Sequence, residues 1–177
     1  MKAVLISIQP KWCELIASGK KTIEVRKTRP KIEMPFKCYI YETMAQFIKF
    51  VKGARTSYGY GRGQVIGEFV CDFLDEFAGG IGIGFKRFHS FAETCLTVKE
   101  MQEYLKGKNG YGWHISELKI YDKPKALGEF RKAGFMTEEE WLYALYPNTH
   151  CHYQAWAKRF ELTRPPQSWC FVEEMSE

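Results

Sequence analysis

Apolar positions near the start of the chain form two kinds of pattern. Lys2–Ser7 holds an unbroken run, Val4-Leu5-Ile6, that predicts a short buried strand. Pro10 then stands where a helix can begin, because its missing N–H would be unsatisfied in a first turn anyway. Trp12, Leu15, Ile16 and Gly19 recur at helical spacing and put one apolar face against the core. Gly19 marks the stop, and Lys20 and Lys21 complement the negative end of the helix dipole. A second strand is expected at Lys21–Arg26 and a third at Phe36–Glu42, where Cys38 and Ile40 alternate with Tyr39 and Tyr41.

Further along, the pattern predicts a short helix over Met44–Lys52, a loop over Arg55–Gly63, a long strand over Gln64–Phe73 and a glycine-rich loop at Gly79–Gly84. Val98–Lys106 has helical composition, Asn109-Gly110 signals a turn, and Tyr111–Tyr121 reads as one strand ended by Pro124. Thr137 with Glu140 makes a capping box that opens a helix through Leu145. Another helix is expected over His150–Phe160, and Pro165-Pro166 leads to a last strand at Ser168–Glu173. No repeat and no linker interrupts the chain. The expectation is one α+β domain over 1–177, built on a small, mostly antiparallel, barrel-like sheet with flanking helices. Insertions are expected at 43–62 and at 134–160, the second of them helical.

Composition narrows the class. At 177 residues, 45% hydrophobic and 27% charged, the chain can bury one core and is not of disordered type. No apolar run approaches the roughly 18 residues of a membrane span, and Gln9-Pro10-Lys11 breaks the first run too early for a secretory leader. The six cysteines are scattered, with no CxxC pair, and several lie inside apolar stretches. They read as buried free thiols in a reducing compartment, so the expected location is cytoplasmic, with no membrane partner.

The net charge of +5 is unevenly spread. Residues 1–62 hold 13 Lys+Arg against 4 Asp+Glu, whereas residues 63–177 hold 13 against 17. Halves of opposite sign suggest a basic face offered to an anionic partner, nucleic acid first among them.

Chemistry is densest at Gly19-Lys20-Lys21-Thr22-Ile23-Glu24-Val25-Arg26. In a strand, Thr22, Glu24 and Arg26 share one face while Ile23 and Val25 point to the core. Lys21 lies at the helix–strand junction, from which its long side chain reaches Glu24. Two cations and one carboxylate at the mouth of a sheet suit a phosphate or the polar edge of a base.

Gly19-x-Lys21-x-x-Glu24-x-Arg26 resembles the GxKxxExR signature of the ASCH domain family, relatives of the PUA RNA-binding domains. Ser7-Ile8-Gln9-Pro10 through Leu15-Ile16 resembles the family's opening strand and helix, and Gly63–Phe73 the barrel strand that follows. Tyr111-Gly112-Trp113-His114-Ile115 with Tyr121-Asp122-Lys123-Pro124 is similar to a late strand pair of its bacterial and phage-borne branch. The resemblance implies a PUA-like barrel whose cleft is lined by the signature residues and binds RNA or a nucleotide. It also implies hydrolase alternatives, a ribonuclease-like one and an acetylcytidine amidohydrolase-like one. In the deacetylating branch the position of Lys21 is the catalytic lysine and that of Glu24 is a threonine. Catalysis here would use a partly desolvated Lys21 amine as base or nucleophile, with Glu24 moving the proton or orienting water.

Other segments add candidates. Arg55 and Arg62 are placed to hold phosphates while Tyr58 and Tyr60 stack on bases. Trp113 or His114 offers a stacking wall or proton carrier, against the plainer reading of a core tryptophan beside an exposed histidine. The nucleic-acid set is therefore Lys20, Lys21, Glu24, Arg26, Arg55, Tyr58, Tyr60, Arg62, Trp113 and His114. No cofactor or metal is implied. Gly79–Gly84 lacks GxGxxG spacing, and His150-Cys151-His152 is too compact for a zinc site. A third alternative is a protein-interaction module through 134–160, where Glu138-Glu139-Glu140 and Trp141 would meet another chain.

Overall fold

A computed structural model describes residues 1–51, 54–78, 84–85, 91–134 and 160–175. The side chains of 45–58, 78 and 84–85 lie outside the described set. The helices expected over Thr137–Leu145 and over His150–Phe160 fall almost wholly outside it as well.

Strand β1 (Lys2–Ile8) is apolar on both faces because both are covered. It pairs in parallel with β3 (Phe36–Glu42) and antiparallel with the last strand, β11 (Trp169–Glu173). β6 (Gln64–Cys71) and β10 (Ser116–Lys125) complete a five-stranded sheet in the order β10-β6-β3-β1-β11. A four-stranded sheet runs β2-β9-β7-β8, from Ile23–Arg26, Gly110–His114, Leu74–Ala78 and Gly84–Phe85. The hairpin β4 (Ala45–Val51) and β5 (Ala54–Tyr60) forms a separate two-stranded sheet. The α+β class is as expected, and of the described strand pairs only β1–β3 is parallel. The barrel, however, is two facing sheets rather than one closed cylinder.

Alternation along β1 and β3 separates two cores. Val4, Ile6, Ile8, Cys38 and Ile40 pack with Ile66, Phe69 and Trp113. Ala3, Leu5, Tyr39 and Tyr41 pack on the opposite side with Phe130 and Leu162. Helix α1 (Pro10–Ala17) opens at the expected proline and buries Cys13 and Ile16. Helix α2 (Val98–Leu105) opens on a capping box of Thr97 and Glu100, and it buries Met101 and Leu105 against Val25 and Phe77.

Four expectations are corrected. In place of the helix expected over Met44–Lys52 the chain forms strand β4 at Ala45–Val51, and the expected Arg55–Gly63 loop is largely strand β5. Pairing along the whole hairpin decides this, since a short aromatic and β-branched run fits either state until a partner strand is present. Tyr111–Tyr121 is two strands in different sheets, divided at Ile115, and Glu117 just beyond takes φ +48°. Pro124 lies within β10 rather than ending it. β10 is a sheet edge, where a missing N–H deprives no neighbour.

Candidate functional site

β2 is buried on both faces, which the sequence pattern did not suggest. Val25 packs with Phe77 under α2. Glu24 pairs with Trp113 of β9, so Glu24 and Arg26 share the side of the inter-sheet core. They lie at its open end, where β1, β2 and β3 finish and β11 begins. There a cavity of about 870 Å³ is floored by Lys21, Glu24 and Arg26. Trp12 of α1 and Tyr104 of α2 form walls, and Pro165–Ser168 forms a rim.

The three ionic groups converge. Glu24 Oε2 stands 3.3 Å from Lys21 Nζ, and Glu24 Oε1 stands 3.0 Å from Arg26 Nη2. Lys21 Nζ also donates to the carbonyls of Ile23 at 2.7 Å and Thr94 at 2.6 Å. Three N–H groups thus meet three acceptors, and the hydrogen-bonding capacity of the ammonium is taken up inside the protein. Arg26 Nη2 donates to Ser7 O at 2.6 Å. Ser7 in turn donates through its hydroxyl to Pro166 O and through its amide to Ser168 O, so β1 ties the guanidinium to the rim. Lys21 is 2% exposed, Glu24 6% and Arg26 7%; a ligand therefore meets the tips of Glu24 and Arg26 more than the amine.

This arrangement changes the role of Lys21. An amine acting as base or nucleophile needs a free lone pair directed at substrate, whereas Nζ faces two carbonyls and a carboxylate. The amine is held against Glu24 through the 3.3 Å ion pair. Lys21 Nζ also lies 5.2 Å from the centre of the Trp12 ring. Burial raises the Tyr104 hydroxyl above the usual phenol range, and the Arg26 guanidinium beside it opposes that shift.

The remaining expected residues are dispersed. Lys20 is exposed beside the cleft without lining it. Tyr60 gives its hydroxyl to Glu14 of α1, and Arg62 is exposed and reaches toward Glu42 at 4.0 Å. Arg55 and Tyr58 belong to β5, with side chains outside the described set. Trp113 is fully buried, edge-on to Phe36, so it is a core residue and not a stacking wall. His114 lies away from the cleft, 3.7 Å from Asp75 and edge-on to Phe73. His150, Cys151 and His152 are outside the described residues, among which no group of side chains suits a metal.

Sequence reasoning missed Tyr104, Gln167 and the cleft-lining role of Trp12. The last had a signal: Trp12 directly follows Pro10-Lys11, beside the quoted Ser7-Ile8-Gln9 segment. Tyr104 and Gln167 had none, because each reaches the cleft through tertiary packing. Cys13, Cys38 and Cys71 are buried free thiols as expected. No described helix is long and apolar enough to cross a membrane.

Comparison with known proteins agrees with this fold. No curated protein matches in sequence. The structure is similar to ASCH from Zymomonas mobilis, at 17% identity over 97% of this chain and 88% of that one, with a TM-score of 0.53. A point variant of that protein is similar at 17% identity over 98% and 92%, with a TM-score of 0.54. A family model for the ASCH domain matches residues 6–70, the stretch that runs from β1 through the Lys21–Glu24–Arg26 floor to β6. The chain thus carries a match to the ASCH domain over residues 6–70 and shares the fold of these solved structures along nearly its whole length.

Proposed function

We propose that this chain binds RNA or a nucleotide in the cleft floored by Lys21, Glu24 and Arg26. The observation that carries the reading is the convergence of one carboxylate and two cations at the base of a cavity of about 870 Å³. Such a volume suits a small molecule or one extruded nucleotide. The floor offers Arg26 as a donor and Glu24 as an acceptor, which matches the edge of a nucleobase. Trp12 and Tyr104 supply flat walls for stacking. The match of residues 6–70 to the ASCH domain supports the same class of ligand.

Calorimetric titration with the four ribonucleoside monophosphates tests this. Wild type is expected to bind at least one. Trp12→Ala should weaken that binding by about 1–3 kcal/mol, the worth of a lost stack, while Trp12→Phe retains most of it. Glu24→Gln should alter the preference among bases. If no nucleotide binds, or if Trp12→Ala binds as well as wild type, the reading is wrong. A hydrolase with Lys21 as its nucleophile is less well supported, because that role needs the amine released from all three acceptors.

A further inference from the structure

We infer that a basic strip on the protein's surface, separate from the signature motif, carries the backbone of a single-stranded RNA away from the cleft. The strip is made by two turns at one end of the β2–β9 pair. The first is the segment after β2, with Lys27, Arg29 and Lys31 all exposed. The second is the turn between α2 and β9, with Lys106 and Lys108 exposed.

Several contacts bring the two turns together. Arg26, the last residue of β2, pairs with Tyr111 near the start of β9. A Cβ at Gly110 would lie 3.3 Å from Arg26 O. Lys27 Nζ stands 4.8 Å from the centre of the Tyr104 ring, and the Arg29 guanidinium 5.9 Å from that of Tyr111. The loop after β2 therefore lies over the two aromatics that flank the Lys106–Lys108 turn. That turn is held by Lys106 at φ +52°, Gly107 at φ +74° and a Lys108 amide bond to Leu105 O.

The strip is continuous with the cleft, since Lys27 and Thr28 line the cavity. Within residues 27–31 and 106–109 there is no acidic residue, and Glu33 follows just beyond. Lys11, Lys37 and Lys99 each reach a carboxylate, whereas none of the five strip cations has an ion-pair partner among the described residues. Unneutralised cations in a row beside a nucleotide-sized hollow match a phosphodiester chain, whose charge repeats with each residue. The inference rests on the cleft being a nucleotide site and extends it: the partner is a strand, not a free nucleotide.

The test compares wild type with the variant Arg29→Gln/Lys31→Gln/Lys106→Gln/Lys108→Gln, which leaves every cleft-lining residue in place. The probe is a fluorescent single-stranded RNA of mixed sequence, about 12 nucleotides long, within the span of compact single-strand sites. Wild type should bind it more tightly than any mononucleotide. The variant should bind it about ten- to a hundredfold more weakly at low salt, with the slope of log Kd against log salt reduced by about 2–3. Mononucleotide binding should be the same in both proteins. If mononucleotides bind but the oligonucleotide binds no tighter, or if the variant keeps the wild-type slope, the strip is refuted and the cleft reading stands. An acidic peptide of equal length bound as tightly as the RNA would also refute it. If neither nucleotide nor RNA binds, both readings fall together.

Discussion

Lys21 Nζ donates to the carbonyl oxygen of Thr94 at 2.6 Å, joining groups 73 positions apart in the chain. Thr94 is fully buried, and its own hydroxyl donates to Phe91 O at 2.7 Å and accepts from Leu96 N at 3.2 Å. The same turn takes the Thr22 amide on Glu93 O at 3.1 Å and sends Cys95 Sγ to Lys20 O at 3.3 Å. Residues 91–96 thus grip the helix–strand junction that carries the signature. A lysine side chain loses considerable rotamer freedom when ordered, and this turn is what holds it over Glu24.

Removing Lys21 should therefore act on stability before chemistry. Lys21→Met leaves Glu24 with one cationic partner and two buried carbonyls without a donor, at an expected cost of about 3–5 kcal/mol. Glu24→Gln removes the charge between two cations and is expected to destabilise as well. The double variant should lose less than the two single losses combined, because the first substitution already breaks the pair. Urea unfolding of the four proteins measures the coupling, and strictly additive losses would contradict it.

Gly112 sets how closely β9 approaches its neighbours. A Cβ there would stand 2.9 Å from Ile23 Cγ2 and 2.9 Å from Phe77 Cζ, both of them buried. Gly112→Ala should cost about 1–3 kcal/mol by overpacking and push β2 outward, which moves Glu24 and Arg26 together. Thermal unfolding should show the loss, and nucleotide affinity should fall although no cleft residue has changed. A variant as stable as wild type would mean the strands have room to separate.

Alkaline pH should loosen the core through its thiols. Burial pushes the Cys71 thiol from an ordinary 9.0 up to about 12, and Cys13 and Cys38 shift in the same direction by the same cause. The folded state keeps these protons while the unfolded chain releases them above pH 9, so stability is intact below that point and falls as pH rises. Each thiol contributes about 1.4 kcal/mol per pH unit to the slope over that window. Cys71→Ala should lower stability at neutral pH but flatten the alkaline decline by one thiol's share. Denaturant midpoints collected above pH 9 check this, and an unchanged slope would count against it.

Local pattern sufficed where neighbours in sequence supply the partner. Val4-Leu5-Ile6 had to be strand, Pro10 had to open a helix, and the spacing of Lys21, Glu24 and Arg26 placed all three within reach at one junction. These are questions of period, capping and side-chain length, which a chain answers within a few residues. Hairpin β4–β5 was misjudged because a short apolar run does not distinguish helix from strand until a partner strand pairs with it. The division of Tyr111–Tyr121 between two sheets was likewise hidden, since its cause is competition between two distant partners, β2 and β6. Tertiary structure alone decided that the ionic trio faces inward, that Tyr104 and Gln167 share its cleft, and that Thr94 takes up the lysine's hydrogen-bonding capacity. Burial and hydrogen-bond satisfaction depend on what the rest of the chain brings to a site, and no single stretch of sequence carries that information.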